Sequence, residues 1–98
     1  MRRDEVITSL KAHEADIRAL GVAALYLYGS HARDEASDTS DVDVFIDRDV
    51  SYKIGLLELA RLQALLENAL GIDVDVGTRT SLHPALKTTI ELNAVRVF

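Results

Sequence analysis

The hydrophobic pattern changes period several times along the chain. Apolar residues recur at helical spacing over residues 3–19, which predicts an amphipathic helix with Gly21 as its stop. Residues 22–28, Val-Ala-Ala-Leu-Tyr-Leu-Tyr, are a short continuous apolar run of the kind typical of a buried strand. Residues 42–46 predict a second strand, and the polar stretch over 34–41 between them is loop-like.

The second half of the chain repeats this order of helix and strand. Apolar positions from 52 to 70 predict a long helix that ends at Gly71, and strict alternation over 72–76 predicts a third strand. We expect Ser81 to cap a last helix with Pro84 in its first turn, and residues 95–98 to form a short final strand. The pattern therefore predicts an α+β fold in a single domain over residues 1–98.

Composition and charge narrow the classes of protein that fit this pattern. The 98 residues include 16 Asp and Glu against 11 Lys and Arg, for a formal net charge of −5, and no cysteine. The acidic balance argues against nucleic-acid binding through the general surface, and no disulfide or thiolate metal site can form. No apolar run approaches the roughly 18 residues of a membrane span, and no export signal is recognisable. We expect a cytoplasmic protein.

Acidic residues are concentrated on two of the predicted strands. Because side chains alternate along a strand, Asp41 and Asp43 share one face of the second strand, and Asp73 and Asp75 share one face of the third. If these strands are neighbours, two or three carboxylates converge, and their repulsion favours binding of Mg²⁺ or Mn²⁺ between them. The alternative is that these aspartates lie at solvated strand ends, which is also where Asp47 is expected.

A glycine and a hydroxyl residue separate the first strand from a possible short helix over 30–36. Gly29 lets a phosphate approach the backbone closely, and Ser30 is placed to cap the helix, whose N-terminus favours an anion. Arg33, about one turn further, can hold a phosphate oxygen or pair with a carboxylate. The alternative is a plain Gly-Ser turn with a helix cap. His31 and His83 are expected to be exposed turn or cap residues.

In combination these segments resemble a known family. Leu27-Tyr-Gly-Ser-His-Ala-Arg33, Ser40-Asp-Val-Asp-Val-Phe-Ile46 and Val74-Asp-Val76 are similar to the motifs of the minimal nucleotidyltransferases, in the polymerase-beta-like superfamily. The C-terminal Ser81-Leu-His-Pro84 and Ala94-Val-Arg-Val-Phe98 also resemble this family's ending. The resemblance covers nearly the whole chain and implies a small mixed β-sheet with helices packed on it.

The resemblance also implies roles for the acidic residues. Asp41 and Asp43 would ligate two Mg²⁺ ions, one of which also carries the triphosphate of ATP. Asp75 would be the third carboxylate, which coordinates the catalytic metal and helps to activate an attacking hydroxyl. Asp73 is the second candidate for that third position.

The resemblance implies transfer of AMP from ATP to a hydroxyl group. Gly29 and Ser30 would contact the β- and γ-phosphates, with Arg33 on the phosphate side of the site. Templated synthesis is not expected, because 98 residues leave no room for domains that hold template and primer.

Relatives of this type occur as antitoxins beside HEPN-domain ribonuclease toxins, so the implied acceptor is a tyrosine hydroxyl of such a toxin, in a stable or transient complex. Two alternatives stay open: a non-catalytic antitoxin that masks the toxin by binding, or a nucleotidyltransferase for an aminoglycoside-type small molecule.

Overall fold

A four-stranded mixed sheet organises the computed structural model, which describes residues 1–37 and 41–98. The strands are β1 (Val22–Tyr28), β2 (Val42–Arg48), β3 (Val74–Thr78) and β4 (Val95–Arg96), in the spatial order β3-β2-β1-β4. Strand β1 pairs antiparallel with β2 and β4, whereas β2 pairs parallel with β3. The predicted α+β fold with a small mixed sheet is confirmed. Ser40, part of the predicted motif, lies outside the described residues.

Alternation along the strands gives the sheet two different faces. Leu27 pairs with Val44 across β1 and β2, and both side chains are fully buried. The next pair along, Tyr28 and Asp43, belongs to the opposite face because successive side chains point to opposite sides of a strand. One face is therefore apolar, and the other carries aromatic and acidic side chains.

Three helices cover the apolar face: α1 (Arg3–Ala12), α2 (Glu14–Ala19) and α3 (Leu56–Leu70). Their apolar stripes join the strands in one buried cluster, and removal of this surface from water is the main force that holds the helices on the sheet. Within the described part of the chain, no helix is long and apolar enough to cross a membrane. The helical members of the cluster are Val6, Leu10, Ile17, Leu62, Leu66 and Leu70.

Two helix boundaries differ from the predicted ones. The helix predicted over 3–19 is interrupted at His13, which ends α1 and precedes α2. The helix predicted from residue 52 begins only at Leu56, because Gly55 is extended and its N–H donates to the Glu58 carboxylate at 2.9 Å, a capping arrangement. Its predicted end is confirmed, since Gly71 adopts a left-handed φ of 73° after Leu70.

The last helix and β3 lie further along the chain than predicted. Ser81 does not cap a helix, because its hydroxyl bonds back to the backbone of Thr78 and closes a 3₁₀ turn over Arg79–Ser81. The last helix, α4 (Lys87–Asn93), starts beyond Pro84. A proline biases the residue before it away from helical geometry, so the chain stays non-helical through this position. Strand β3 is shifted by two residues from the predicted 72–76, to the register in which it pairs with β2.

Candidate active site

The site is built on three adjacent strands. Asp43 of β2 has Tyr28 of β1 as its neighbour on one side and Asp75 of β3 on the other. Because residues paired across strands share a face, all three side chains lie on the face opposite the helices. Asp41 lies two residues before Asp43, is exposed, and shares that face by alternation. Asp73 precedes β3 and is not the residue paired with Asp43.

Asp43 lies in an electrostatic environment that disfavours its charged form. Burial raises the pKa of this half-buried carboxyl, and the negative charges of Asp75 and Asp41 raise it further, while His31 lowers it. The same causes act on the neighbouring hydroxyl: burial, then the charges of Asp43 and Asp75, raise the pKa of Tyr28. The strand pairing therefore accumulates negative charge on one face of the sheet.

Gly29 leaves room for the Asp43 carboxylate. Gly29 has a left-handed φ of 75°, and a Cβ at this position would come within 2.5 Å of Asp43 Oδ2. Any other residue would therefore displace this carboxylate as well as strain the backbone. The glycine that the sequence predicts as a phosphate contact is also the residue against which Asp43 packs.

The segment after Gly29 is a turn and not the predicted helix over 30–36. The N–H groups of Arg33 and Glu35 donate to the carbonyls of Gly29 and Ser30 at 3.3 and 2.9 Å, and the turn ends at Asp34, whose φ is 58°. Because this single turn does not continue, it offers no helix dipole to an anion. The exposed Arg33 donates to Glu35 Oε2 at 3.1 Å. Pairing with a carboxylate is one of the two roles that the sequence predicts for Arg33.

His31 is placed differently from the sequence-based prediction. Its side chain is only 1% exposed, and Nδ1 lies 3.1 Å from the backbone carbonyl of Asp41. Among the described residues, its Nε2 atom has no hydrogen-bond partner. The prediction of an exposed His31 was wrong because only tertiary contact brings this turn against the start of β2. His83 is exposed, as predicted, and its Nδ1 accepts the Ala85 N–H at 3.1 Å.

Asp47, further along β2, belongs to an ion-pair network and is not simply a solvated strand end. Arg79 donates to Asp47 Oδ1 and Oδ2 at 2.7 and 2.9 Å, and also to Glu91. The Arg79 guanidinium also stacks over Tyr26 and Phe45, at 4.8 and 5.0 Å from their ring centroids. Hydrogen bonds from Arg79 hold the pKa of Asp47 below its usual range. This network covers the aromatic part of the face and gives Asp47 a structural ion-pair partner.

Among residues 1–37 and 41–98, no three His, Asp or Glu side chains form a group that could already hold a metal ion. The donor chemistry nevertheless fits a hard divalent cation, because Asp43 and Asp75 are carboxylates paired across adjacent strands. Burial is the larger cause of the raised pKa of Asp43, and the charges of Asp75 and Asp41, which such a cation would offset, add to it.

Comparison with known proteins agrees with this fold. The sequence profile of the nucleotidyltransferase domain matches residues 5–97. The chain therefore belongs to the nucleotidyltransferase domain family and is a nucleotidyltransferase of the minimal type that the motifs indicate.

Two sequence relatives and one solved structure are similar to the chain over most of its length. The protein adenylyltransferase MntA of Thermococcus cleftensis is 33% identical over 95 residues, which cover 96% of this chain and 94% of MntA. A candidate protein adenylyltransferase of Methanocaldococcus jannaschii is 43% identical over 77 residues, which cover 79% of this chain and 81% of the relative. A candidate minimal nucleotidyltransferase of known structure has a TM-score of 0.81 at 28% identity, over 97% of this chain and 95% of the other.

The second solved structure contains a tri-AMPylated HEPN toxin of Shewanella oneidensis in complex with an MNT antitoxin. Its matching chain has a TM-score of 0.63 at 18% identity, over 90% of this chain and 68% of that one. A likeness at this identity shows a shared fold.

Proposed function

We propose that this chain transfers AMP from ATP to a tyrosine hydroxyl of a HEPN-domain ribonuclease toxin and acts as the antitoxin of that partner. The observation that carries the proposal is the Asp43–Asp75 pair on adjacent strands, with the Asp43 carboxylate packed against Gly29. The name of the T. cleftensis relative supports a protein as the acceptor of AMP. The complex of a HEPN toxin with an MNT antitoxin supports the class of partner.

We propose Asp41, Asp43 and Asp75 as the residues that hold two Mg²⁺ ions, after rotation of their side chains toward one another. When bound, such ions stabilise negative charge on the attacking and leaving oxygens of a phosphoryl transfer. The fit rests on three carboxylate donors. Burial first, and then the charges of Asp75 and Asp41, raise the pKa of Asp43. Gly29, Ser30 and the turn up to Arg33 would hold the β- and γ-phosphates.

The proposed step is an in-line displacement at the α-phosphorus of ATP. The tyrosine oxygen forms a bond to the α-phosphorus, the bond from this phosphorus to the bridging oxygen breaks, and pyrophosphate leaves. The proton of the hydroxyl passes to the Asp75 carboxylate and then to solvent. Orientation of the two reactants supplies much of the rate, since little covalent chemistry is required of the protein. Because ATP is the donor, we expect the reaction to take place in the cytoplasm.

The test is mass spectrometry of the neighbouring-gene product, as the candidate toxin, after incubation with the chain, ATP and Mg²⁺. We expect additions of whole AMP units on a tyrosine, and none with Asp43→Asn. Asp16→Asn is the matched control, because Asp16 is an exposed carboxylate on α2, which packs on the other face of the sheet. It should modify the toxin at the rate of the unsubstituted protein.

Other outcomes would contradict this assignment. Tight binding of the toxin without any AMP addition would identify an antitoxin that acts by masking. Failure to bind or to modify the toxin, together with AMP transfer to an aminoglycoside, would identify a small-molecule enzyme. Undiminished transfer by Asp43→Asn would overturn the proposed active site.

A further inference from the structure

We propose that His31 is a positioning residue that sets the direction of Asp41, a role that rests on the proposed function. The structure gives two observations for it. His31 is the buried polar side chain of the described residues, at 1% exposure, and its Nδ1 faces the carbonyl oxygen of Asp41 at 3.1 Å. A carbonyl oxygen only accepts hydrogen bonds, so Nδ1 carries the proton that is donated to it.

This hydrogen bond and a second one hold the Asp41–Val42 peptide group from both sides, an arrangement that we call the clamp. The carbonyl of Asp41 and the N–H of Val42 belong to the same planar unit. His31 donates to the carbonyl, and the Val42 N–H donates to the Asp73 carbonyl at 3.0 Å. The peptide is thus held from both sides, which restricts its rotation and therefore the direction of the Asp41 Cα–Cβ bond.

The clamp joins the three segments that carry the proposed site. His31 belongs to the turn that follows Gly29, the clamped peptide opens β2, and Asp73 lies directly before the strand that carries Asp75. Asp41 itself is exposed, so the orientation of its carboxylate depends strongly on how its backbone is fixed. Loss of the His31 bond would leave Asp41 free to turn away from Asp43, with the fold preserved.

The test compares substitutions that differ in where they place a donor. In His31→Asn the side-chain amide nitrogen occupies the place of Nδ1, whereas in His31→Gln it lies one bond further out. His31→Leu has no donor. We expect the Asn variant to stay within about threefold of the unsubstituted protein, and the Gln and Leu variants to lose about tenfold to a hundredfold in kcat. The half-saturating Mn²⁺ concentration should rise about tenfold in the same two variants, with little change in KM for ATP.

Two further measurements distinguish a failure of the proposed role of His31 from a failure of the proposed function. Mn²⁺ binding in the presence of AMP-PNP, followed by electron paramagnetic resonance, needs no acceptor protein. If the unsubstituted chain does not bind this pair, the proposed function fails. If it binds Mn²⁺ and transfers AMP, but the Asn, Gln and Leu variants all behave alike, the role of His31 is overturned.

A structural effect alone would lower thermal stability in proportion to the loss of activity and would not be rescued by Asn. If the Gln and Leu variants do not fold, the ¹⁵N resonances of the His31 ring in the unsubstituted protein decide the matter. A protonated Nδ1 supports the clamp, and a ring protonated only on Nε2 excludes it.

Discussion

At the scale of single residues, the candidate site depends on the close approach of Asp43 to Gly29 and on its pairing with Asp75. Gly29 has no side chain where the Asp43 carboxylate lies, and Asp43 has Asp75 as its neighbour in the parallel register. This arrangement buries part of Asp43 and places like charges beside it, which costs folding free energy. The apolar packing on the other face of the sheet must offset that cost. The residues of the site therefore oppose folding, although they are needed for the proposed chemistry.

Gly29→Ala tests whether the glycine serves the carboxylate or only the backbone. Gly71→Ala is its matched control, since Gly71 has a similar φ of 73° but a Cβ there would meet no atom within 4 Å. Each substitution should cost about 1 kcal/mol through the left-handed backbone. Only Gly29→Ala should also reduce AMP transfer, by about a hundredfold, because it displaces Asp43. Denaturant unfolding and transfer rates measure the two effects, and equal activity in both variants would refute this role.

Asp43→Asn should stabilise the metal-free protein while it abolishes transfer. The raised pKa of Asp43 means that the folded chain holds this proton more tightly than the unfolded chain does. Stability from this group is therefore complete below its ordinary pKa of 3.8 and is lost as the pH rises through the raised value. In thermal unfolding with a chelator, the Tm of Asp43→Asn should exceed that of the unsubstituted protein. This difference should grow as the pH rises from 3.8 through the raised pKa of Asp43, and should then stay constant. An advantage that shrinks with rising pH would have the wrong sign.

At the scale of elements, the segment from β3 to β4 is fastened across the acidic face by one arginine. Arg79 joins β2 through Asp47 to α4 through Glu91 and covers the ring of Phe45, which is fully buried. Helix α4 buries no residue of its own, so its position depends on such polar contacts. A bidentate arginine fits this place because its planar group can pair with a carboxylate and stack on a ring at once.

Arg79→Ala should destabilise the fold by about 1–3 kcal/mol, since it leaves two carboxylates without their partner. Arg79→Lys should recover only part of this, because lysine keeps the charge but not the planar fork. The lowered pKa of Asp47 gives a stability that is complete above its ordinary value of 3.8 and lost as the pH falls through the lowered value. Urea unfolding should show the deficit of Arg79→Ala shrinking on acidification, and a deficit independent of pH would argue against the ion pair.

At the scale of the whole molecule, the fold separates stability from chemistry on the two faces of one sheet. Helices α1 to α3 and the apolar face form the core, and Asp43 and Asp75 lie paired on the other face. A ligand that binds between these acidic strand positions binds only the folded chain. It should therefore stabilise the entire fold by mass action.

Mg²⁺ with AMP-PNP at about 100 times its Kd should add about 2.7 kcal/mol, which raises the Tm by more than about 10 °C for a chain of this size. Asp75→Asn should remove most of this rise, whereas Asp73→Asn should retain it, because only Asp75 is paired with Asp43. Differential scanning fluorimetry measures both. A rise lost in Asp73→Asn and kept in Asp75→Asn would exchange their roles.

The sequence predicted what depends on local periodicity and missed what depends on contact between distant segments. Strand β1 has its predicted bounds, and β2 begins at the predicted Val42. The burial of His31 could not be predicted, because it requires a turn to fold back on a strand ten residues later. Likewise, the partner of Asp47 lies 32 residues away, beyond the reach of any spacing rule.

The parallel pairing of β2 with β3 also sets the order in which the proposed site is assembled during folding. Parallel neighbours cannot be joined by a tight hairpin, so the whole of α3 lies between Asp43 and Asp75. Their pairing closes a long loop, which is entropically costly and therefore slow compared with the hairpin of β1 and β2. Because synthesis runs from the N-terminus, a chain still emerging from the ribosome contains Gly29, Asp41 and Asp43 before it contains Asp75. With Asp75 in its proposed role, AMP transfer is expected only once β3 has been synthesised and has paired with β2.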